Sequence, residues 1–116
     1  MDNFTLITDS YKLGHYKMYS SGTEYVYSYF EARTGAKYDK TVFFGLQKLL
    51  QELESIKISI QDVELGKAFT DAHIGPDVFN YDGWMHIIKE HNGKLPLEIR
   101  AVAEGTAVPI NNVLLQ

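Results

Sequence analysis

Twelve positions, Thr8-Asp9-Ser10-Tyr11-Lys12-Leu13-Gly14-His15-Tyr16-Lys17-Met18-Tyr19, hold an acid, two hydroxyl residues, two lysines, a histidine and three tyrosines. Such a set can place charge, donate and accept hydrogen bonds and offer flat aromatic faces. It opens with a helix-start signal, since Asp9 or Ser10 can cap the first free N–H groups. Helical spacing then puts Tyr11, His15 and Tyr19 on one stripe at i, i+4 and i+8, with Lys12 and Tyr16 on the neighbouring one. Phenol and imidazole make a poor plain core, because each polar tip needs a partner when buried, so the stripe is a candidate site wall. The same residues also suit a half-buried surface whose tips are satisfied by backbone or water.

Two further groups invite a chemical reading. Arg33-Thr34-Gly35-Ala36-Lys37 joins two cations to a glycine, a loop that can admit a phosphate close to backbone N–H groups or simply turn in solvent. His73, His86 and His91 lack a His-x-x-x-His pair and are expected on separate surfaces of different helices, so they are not read as metal ligands.

The elements that must position these residues follow from local pattern. Ser20-Ser21-Gly22-Thr23 ends the first helix. Glu24 to Arg33 reads as a Tyr-rich strand, with Val26, Ser28, Phe30 and Ala32 on the face towards the core. Thr41 is the expected cap of a helix to about Ile56, whose stripe is Phe43, Leu46, Leu49, Leu50 and Leu53. Ser59-Ile60-Gln61-Asp62 opens a second helix with a partial capping box, carrying Val63, Leu65, Ala68, Phe69 and Ala72 as far as Gly75-Pro76. Asn80 or Asp82 caps a third, Trp84 to His91, stopped at Gly93. After Pro96 alternation takes over: a strand at Leu97 to Val102, a turn at Glu104-Gly105, a return from Ala107, a turn at Asn111-Asn112 and a last strand from Val113. The expected class is α+β, a short N-terminal helix, a Tyr-rich strand, three helices and an antiparallel β-meander in one domain, 1–116. The meander would leave Leu114-Leu115-Gln116 as an unpaired apolar edge, from which a chain continuing past Gln116 is expected.

Composition narrows the function classes. At 116 residues, 45% hydrophobic and 22% charged, the chain can build a modest core. A net charge of −4 argues against nonspecific binding to nucleic acid or an anionic membrane. With no cysteine, no leader pattern at Met1-Asp2-Asn3-Phe4 and no apolar window of membrane-spanning length, a cytoplasmic protein is expected.

Asp9-Ser10-Tyr11-Lys12-x-x-His15-Tyr16-Lys17-x-Tyr19, Val26-Tyr27-Ser28-Tyr29-Phe30-Glu31-x-Arg33 and Thr41-Val42-Phe43-Phe44-Gly45-Leu46-Gln47 resemble the amino-terminal part of the nicotinamide phosphoribosyltransferase family. Asp77-Val78-Phe79-Asn80-x-x-Gly83-Trp84, Gly93-x-Leu95-Pro96-Leu97-Glu98-Ile99-Arg100-Ala101-Val102 and Glu104-Gly105-x-x-Val108-Pro109-x-x-Asn112-Val113-Leu114 continue the likeness in order. The resemblance implies the N-terminal domain of a type II phosphoribosyltransferase, truncated at its C-terminus. The implied reaction moves phosphoribosyl from phosphoribosyl pyrophosphate to nicotinamide, giving nicotinamide mononucleotide and pyrophosphate in NAD salvage. Tyr11 matches the family's aromatic that stacks on the pyridine ring across a homodimer boundary, Asp9 the adjacent acid, and Arg33 an arginine near the phosphates. Lys12 and His15 are motif members that shape the wall. No catalytic residue and no metal ligand is assigned; Mg2+ and ATP are implied by the family without residues here that bind them. Departures from relatives fall at Gly14, at Ser20-Ser21 and in the short loop before Thr41, away from the three site residues. The resemblance thus implies a segment that walls a dimer-shared site and is inactive alone. A stand-alone small-ligand-binding or protein-interaction domain without catalysis is the alternative.

Overall fold

The computed structural model describes residues 3–116. They gather into two compact units, one from residues 3–23 and 53–96, the other from residues 24–52 and 97–116. Together they hold the strands β1 (Phe30–Glu31), β2 (Lys40–Val42), β3 (Ala107–Pro109) and β4 (Val113–Leu115), and the helices α1 (Leu46–Ser55), α2 (Ile60–His73) and α3 (Tyr81–His91). A 3₁₀ turn (Phe4–Leu6) and a 3₁₀ helix (Ser10–Met18) precede them. This is the α+β class expected, with every strand pair antiparallel.

In the first unit, α2 and α3 pack around Ile58, Val63 and Phe79, with Phe4, Trp84, Met85 and Ile88 closing the cluster. The capping box of α2 is complete: Ser59 Oγ accepts the Asp62 N–H (3.2 Å) while the Asp62 carboxylate accepts the Ser59 N–H (2.9 Å). The shorter Asp side chain reaches as well as Glu would. The buried stripe of α2 is Val63, Gly66 and Thr70, and the expected Leu65 and Phe69 are exposed. The reason is close approach. Gly66 lacks the Cβ that would stand 2.3 Å from Thr5 Oγ1 and 3.0 Å from the Phe79 ring, so α2 turns its smallest residue towards the N-terminal 3₁₀ turn. Thr5, only 2% exposed, donates from both its N–H (3.0 Å) and its hydroxyl (2.8 Å) to Asn3 Oδ1, and Asn3 Nδ2 donates to the Asp62 carbonyl (2.7 Å). The buried hydroxyl is thereby satisfied.

Helix α3 begins at Tyr81, three residues before Trp84, because Asn80 Oδ1 accepts the Gly83 N–H at 3.1 Å and admits one more turn. Asn92 (φ 53) and Gly93 (φ 76) both take the left-handed conformation that ends it. Gly93 is required twice over, since an added Cβ would lie 2.5 Å from the Ile58 carbonyl oxygen.

The second unit departs further from expectation. Of the Tyr-rich stretch only Phe30 and Glu31 pair, with β4; Tyr25 to Tyr29 and Phe30 itself are exposed, so the core face expected of Val26, Ser28 and Phe30 does not form. Thr41 lies in β2 opposite Val108 and caps nothing. Helix α1 starts instead at Leu46, after Gly45 (φ 104), with the Glu104 carboxylate accepting the Gly45 N–H (3.0 Å) and the Gln47 N–H (2.9 Å). A residue some sixty positions away thus supplies the acceptor and the negative charge that a helix N-terminus favours. Phe43, Val108 and Leu114 form the core with Leu46, Val102 and Leu115.

No meander forms: β3 pairs with β2, and β4 with β1, so β3 and β4, though joined by a short turn, are not neighbours. Between β3 and β4 the chain is diverted, Ile110 N–H to the Asp39 carbonyl and Asn111 N–H to the Ala32 carbonyl, with Asn111 left-handed at φ 60. Pro109 has no N–H to give to a hairpin partner. The Leu97–Val102 strand reduces to a bridge at Ala101 and exchanges with β4: Arg100 and Gln116 trade N–H and carbonyl at 2.8 Å in both directions, and the Val102 N–H meets the Leu114 carbonyl at 3.0 Å. Leu114 is buried. The bare apolar edge expected at Leu114-Leu115-Gln116 is therefore not observed. Among the described residues no helix is long and apolar enough to cross a membrane.

Candidate functional site

The chemistry-bearing stretch is a 3₁₀ helix of nine residues, long for that geometry, with none of them buried. At about three residues per turn the expected stripe cannot run its full length. Tyr11 and His15 still meet, ring centroids 5.5 Å apart and tilted by 57°, but Tyr19 follows the helix in extended backbone. Lys12 and Tyr16, on the neighbouring stripe, line a groove of about 470 Å³ whose other wall is Phe79, Asn80, Trp84 and Ile87. Tyr11 stands outside that groove with 66% of its surface free.

Asp9 occupies the cap position, yet its side chain makes no capping hydrogen bond. It pairs instead with Lys12 at 3.0 Å, and the Lys12 ammonium sits 5.7 Å from the Tyr11 ring centroid, within cation–π reach. Lys12, through its hydrogen bond and then its charge, holds the Asp9 carboxyl below the usual carboxylate range, and Asp9 raises the Lys12 ammonium in return. Asp9, Tyr11 and Lys12 thus form one exposed cluster: a flat ring, a cation over it and an anion beside it. Ser10, the other expected cap, turns to His73, its Oγ sharing a 3.0 Å hydrogen bond with Nε2. Lys17 donates to the Asp77 carbonyl at the far end of the helix.

Arg33 lies among the residues of the second unit, just after β1 and before Gly35 (φ 94). The hydroxyl of the next residue, Thr34, donates to Asn111 Oδ1 at 3.1 Å and ties the turn to the loop before β4. The Arg33 guanidinium is exposed and has no ion pair among the described residues.

A smaller hollow of about 280 Å³ in the first unit is lined by Lys17, Lys67, Asp71, Asp77, Tyr81 and Asp82. Lys67 pairs with Asp71, which with Asp77 and Glu64 raises its ammonium, and the second Asp71 oxygen is buried without a partner among the described residues. Tyr81 donates to Glu64 at 2.7 Å, a bond that pushes its phenol up. The histidines are arranged differently from expectation. His86 and His91 share α3 and meet edge to face at 5.7 Å, while His73 rests 5.7 Å from the Phe69 ring. Among the described residues no three His, Cys, Asp or Glu gather as a metal-ligand set. Sequence reading missed His73, Asn80 and the Asp77 carbonyl as partners of this region; the only local signal was the Asp77-Val78-Phe79-Asn80 block itself.

Comparison with known proteins gives one match to a family model, the N-terminal domain of nicotinamide phosphoribosyltransferase, over residues 3–99. A nicotinamide phosphoribosyltransferase of Xanthomonas campestris is 44% identical over 115 residues, covering 99% of this chain and 24% of the relative. One of Acinetobacter baylyi is 35% identical, covering 86% of this chain and 22% of its own length. The chain spans about a quarter of the length of the relatives it matches.

Proposed function

The chain belongs to the nicotinamide phosphoribosyltransferase family through its N-terminal domain, and from that premise we propose that it forms one wall of a site where phosphoribosyl passes from phosphoribosyl pyrophosphate to nicotinamide in NAD salvage. One observation carries the reading. In a chain of this family Tyr11 offers an open aromatic face, flanked by Asp9 and Lys12, on a helix that buries nothing. A pyridine ring stacks on such a face. Once its nitrogen is bonded to the sugar the ring carries positive charge, which a phenol face also attracts. Asp9 supplies acceptor oxygens beside the ring; Arg33, in the second unit, is read by itself as a planar fork that fits phosphate oxygens. The reaction develops positive charge at the anomeric carbon and negative charge on the departing pyrophosphate, so further donors are needed at the phosphates. The chain spans about a quarter of its relatives' length, and in this reading those donors are not among the residues described. The segment alone is then inactive, and the working protein is a cytoplasmic homodimer.

Mg2+ and ATP complete the reaction in this reading, but the residues present do not fit the metal. Asp9 is committed to Lys12, and no set of three ligands gathers among the described residues. No step is therefore derived through either group. The test is nicotinamide titrated in the millimolar range against isotope-labelled chain, followed by NMR. Shifts are expected at residues 9–12, retained in Tyr11→Phe and lost in Tyr11→Ala. Shifts elsewhere that survive Tyr11→Ala would instead favour a separate ligand-binding domain. A radiolabelled transfer assay is expected to show no turnover by the 116 residues; turnover would overturn the shared-site reading.

A further inference from the structure

A helix that buries no side chain and runs nine residues in 3₁₀ geometry has little of its own to fix it in place. Two polar ties hold it. At its start Ser10 Oγ shares a 3.0 Å hydrogen bond with His73 Nε2, and at its end Lys17 donates to the Asp77 carbonyl. Between them Gly14 approaches Val78, whose Cγ1 would stand 3.5 Å from an added Cβ. All three partners lie at or just beyond the C-terminal end of α2.

His73 is the tie nearest the proposed ring-stacking residue. It is the last residue of α2, one turn from Phe69, whose ring lies 5.7 Å from the imidazole. Ser10 stands between Asp9 and Tyr11, so fixing its side chain fixes the backbone that carries both. We propose that His73 is a positioning residue: by holding Ser10 it sets the start of the 3₁₀ helix and with it the place of Asp9 and Tyr11. The role in nicotinamide binding rests on the reading of Tyr11 above; the tie itself does not.

Two measurements on the same variants separate these. Amide hydrogen exchange in the ligand-free chain reads the tie. His73→Ala and Ser10→Ala are each expected to speed exchange within residues 11–18 by about fivefold, the factor one ordinary hydrogen bond carries. Exchange in α3 should stay unchanged, and His73→Gln, which keeps a donor and an acceptor, should restore most of the protection. The double variant should add nothing to either single one. Nicotinamide titration then reads the consequence, with affinity lowered by a similar factor in His73→Ala and recovered in His73→Gln. Unchanged exchange in His73→Ala overturns the proposal, and so does equal acceleration across α2 and α3, which would mean general destabilisation. Faster exchange with undiminished nicotinamide affinity overturns the positioning role. Faster exchange in a chain whose parent shows no nicotinamide shifts upholds the tie and removes the Tyr11 reading.

Discussion

Gly66→Ala sets two effects of opposite sign against each other in the core of the first unit. In an exposed helix interior the exchange stabilises by about 1 kcal/mol, because Ala is the better helix former. Here the new methyl would stand 2.3 Å from Thr5 Oγ1 and 3.0 Å from two atoms of the Phe79 ring, both residues being buried. Thr5 cannot swing aside freely, since its hydroxyl donates to Asn3 Oδ1 at 2.8 Å and rotation would leave it unsatisfied. Overpacking costs about 1–3 kcal/mol and a displaced buried hydrogen bond about 1 kcal/mol more. Net of the propensity gain, a loss of about 1–3 kcal/mol is expected. Trp84, the one tryptophan, packs on the same cluster, so its fluorescence in a urea titration follows this unit directly. In a Thr5→Ala background the hydroxyl is gone and the substitution should cost less, a coupling of about 1 kcal/mol. A Gly66→Ala chain whose midpoint matches or exceeds the parent's would refute the close approach of α2 to the N-terminal turn.

Glu104→Ala removes the acceptor shared by the Gly45 and Gln47 N–H groups and should weaken the start of α1 by about 1 kcal/mol, seen as faster amide exchange at 47–50. Unchanged exchange there would mean that water caps the helix as well as the carboxylate does. For the Asp9–Lys12 pair the sign follows from both shifts. Asp9, lowered from 3.8, contributes stability above its unfolded pKa and loses it as pH falls through the folded one; Lys12, raised from 10.5, contributes below its unfolded pKa and loses it as pH climbs through the folded one. The contribution is present between those two usual values, and salt weakens it because both side chains are exposed. Lys12→Met should move the Asp9 titration, read at the carboxyl carbon by NMR, back up towards 3.8; an unmoved midpoint would show the pair is not formed in solution.

Capping is readable at α2 and α3, though not at Asp9, Ser10 or Thr41. Ser59 with Asp62, Asn80, and the Gly93 stop are local signals, and each sits where its pattern put it because the partner is at most a few residues away. Elements defined by distant partners were not readable. Thr41 looks like a cap until β3 is seen to pair with it, and Leu65 and Phe69 look like core until Gly66 is found to take the buried position. The Tyr-rich run has strand propensity throughout, yet β4 reaches only two of its residues. At the candidate site the density of chemistry between Asp9 and Tyr19 is visible in the sequence itself, whereas the roles expected of Tyr11, Asp9 and Arg33 rest on family likeness alone. The ties of Ser10 to His73 and Lys17 to Asp77 span 63 and 60 residues, beyond any periodicity argument.

Each compact unit is stitched from two stretches of chain, with residues of the other lying between them. A ribosome releases residues 24–52 well before 97–116, so β1 and β2 are synthesised without the strands they need, Phe30 waiting for Leu115 and Thr41 for Val108. The energetic penalty for so late a closure is small, about 0.6 kcal/mol for each doubling of loop length. The delay is one of timing. Through it a nascent segment rich in tyrosine and phenylalanine is left with unpaired backbone, and the time between synthesis of residues 24–52 and of residues 97–116 bears on how much of the product folds before it clumps.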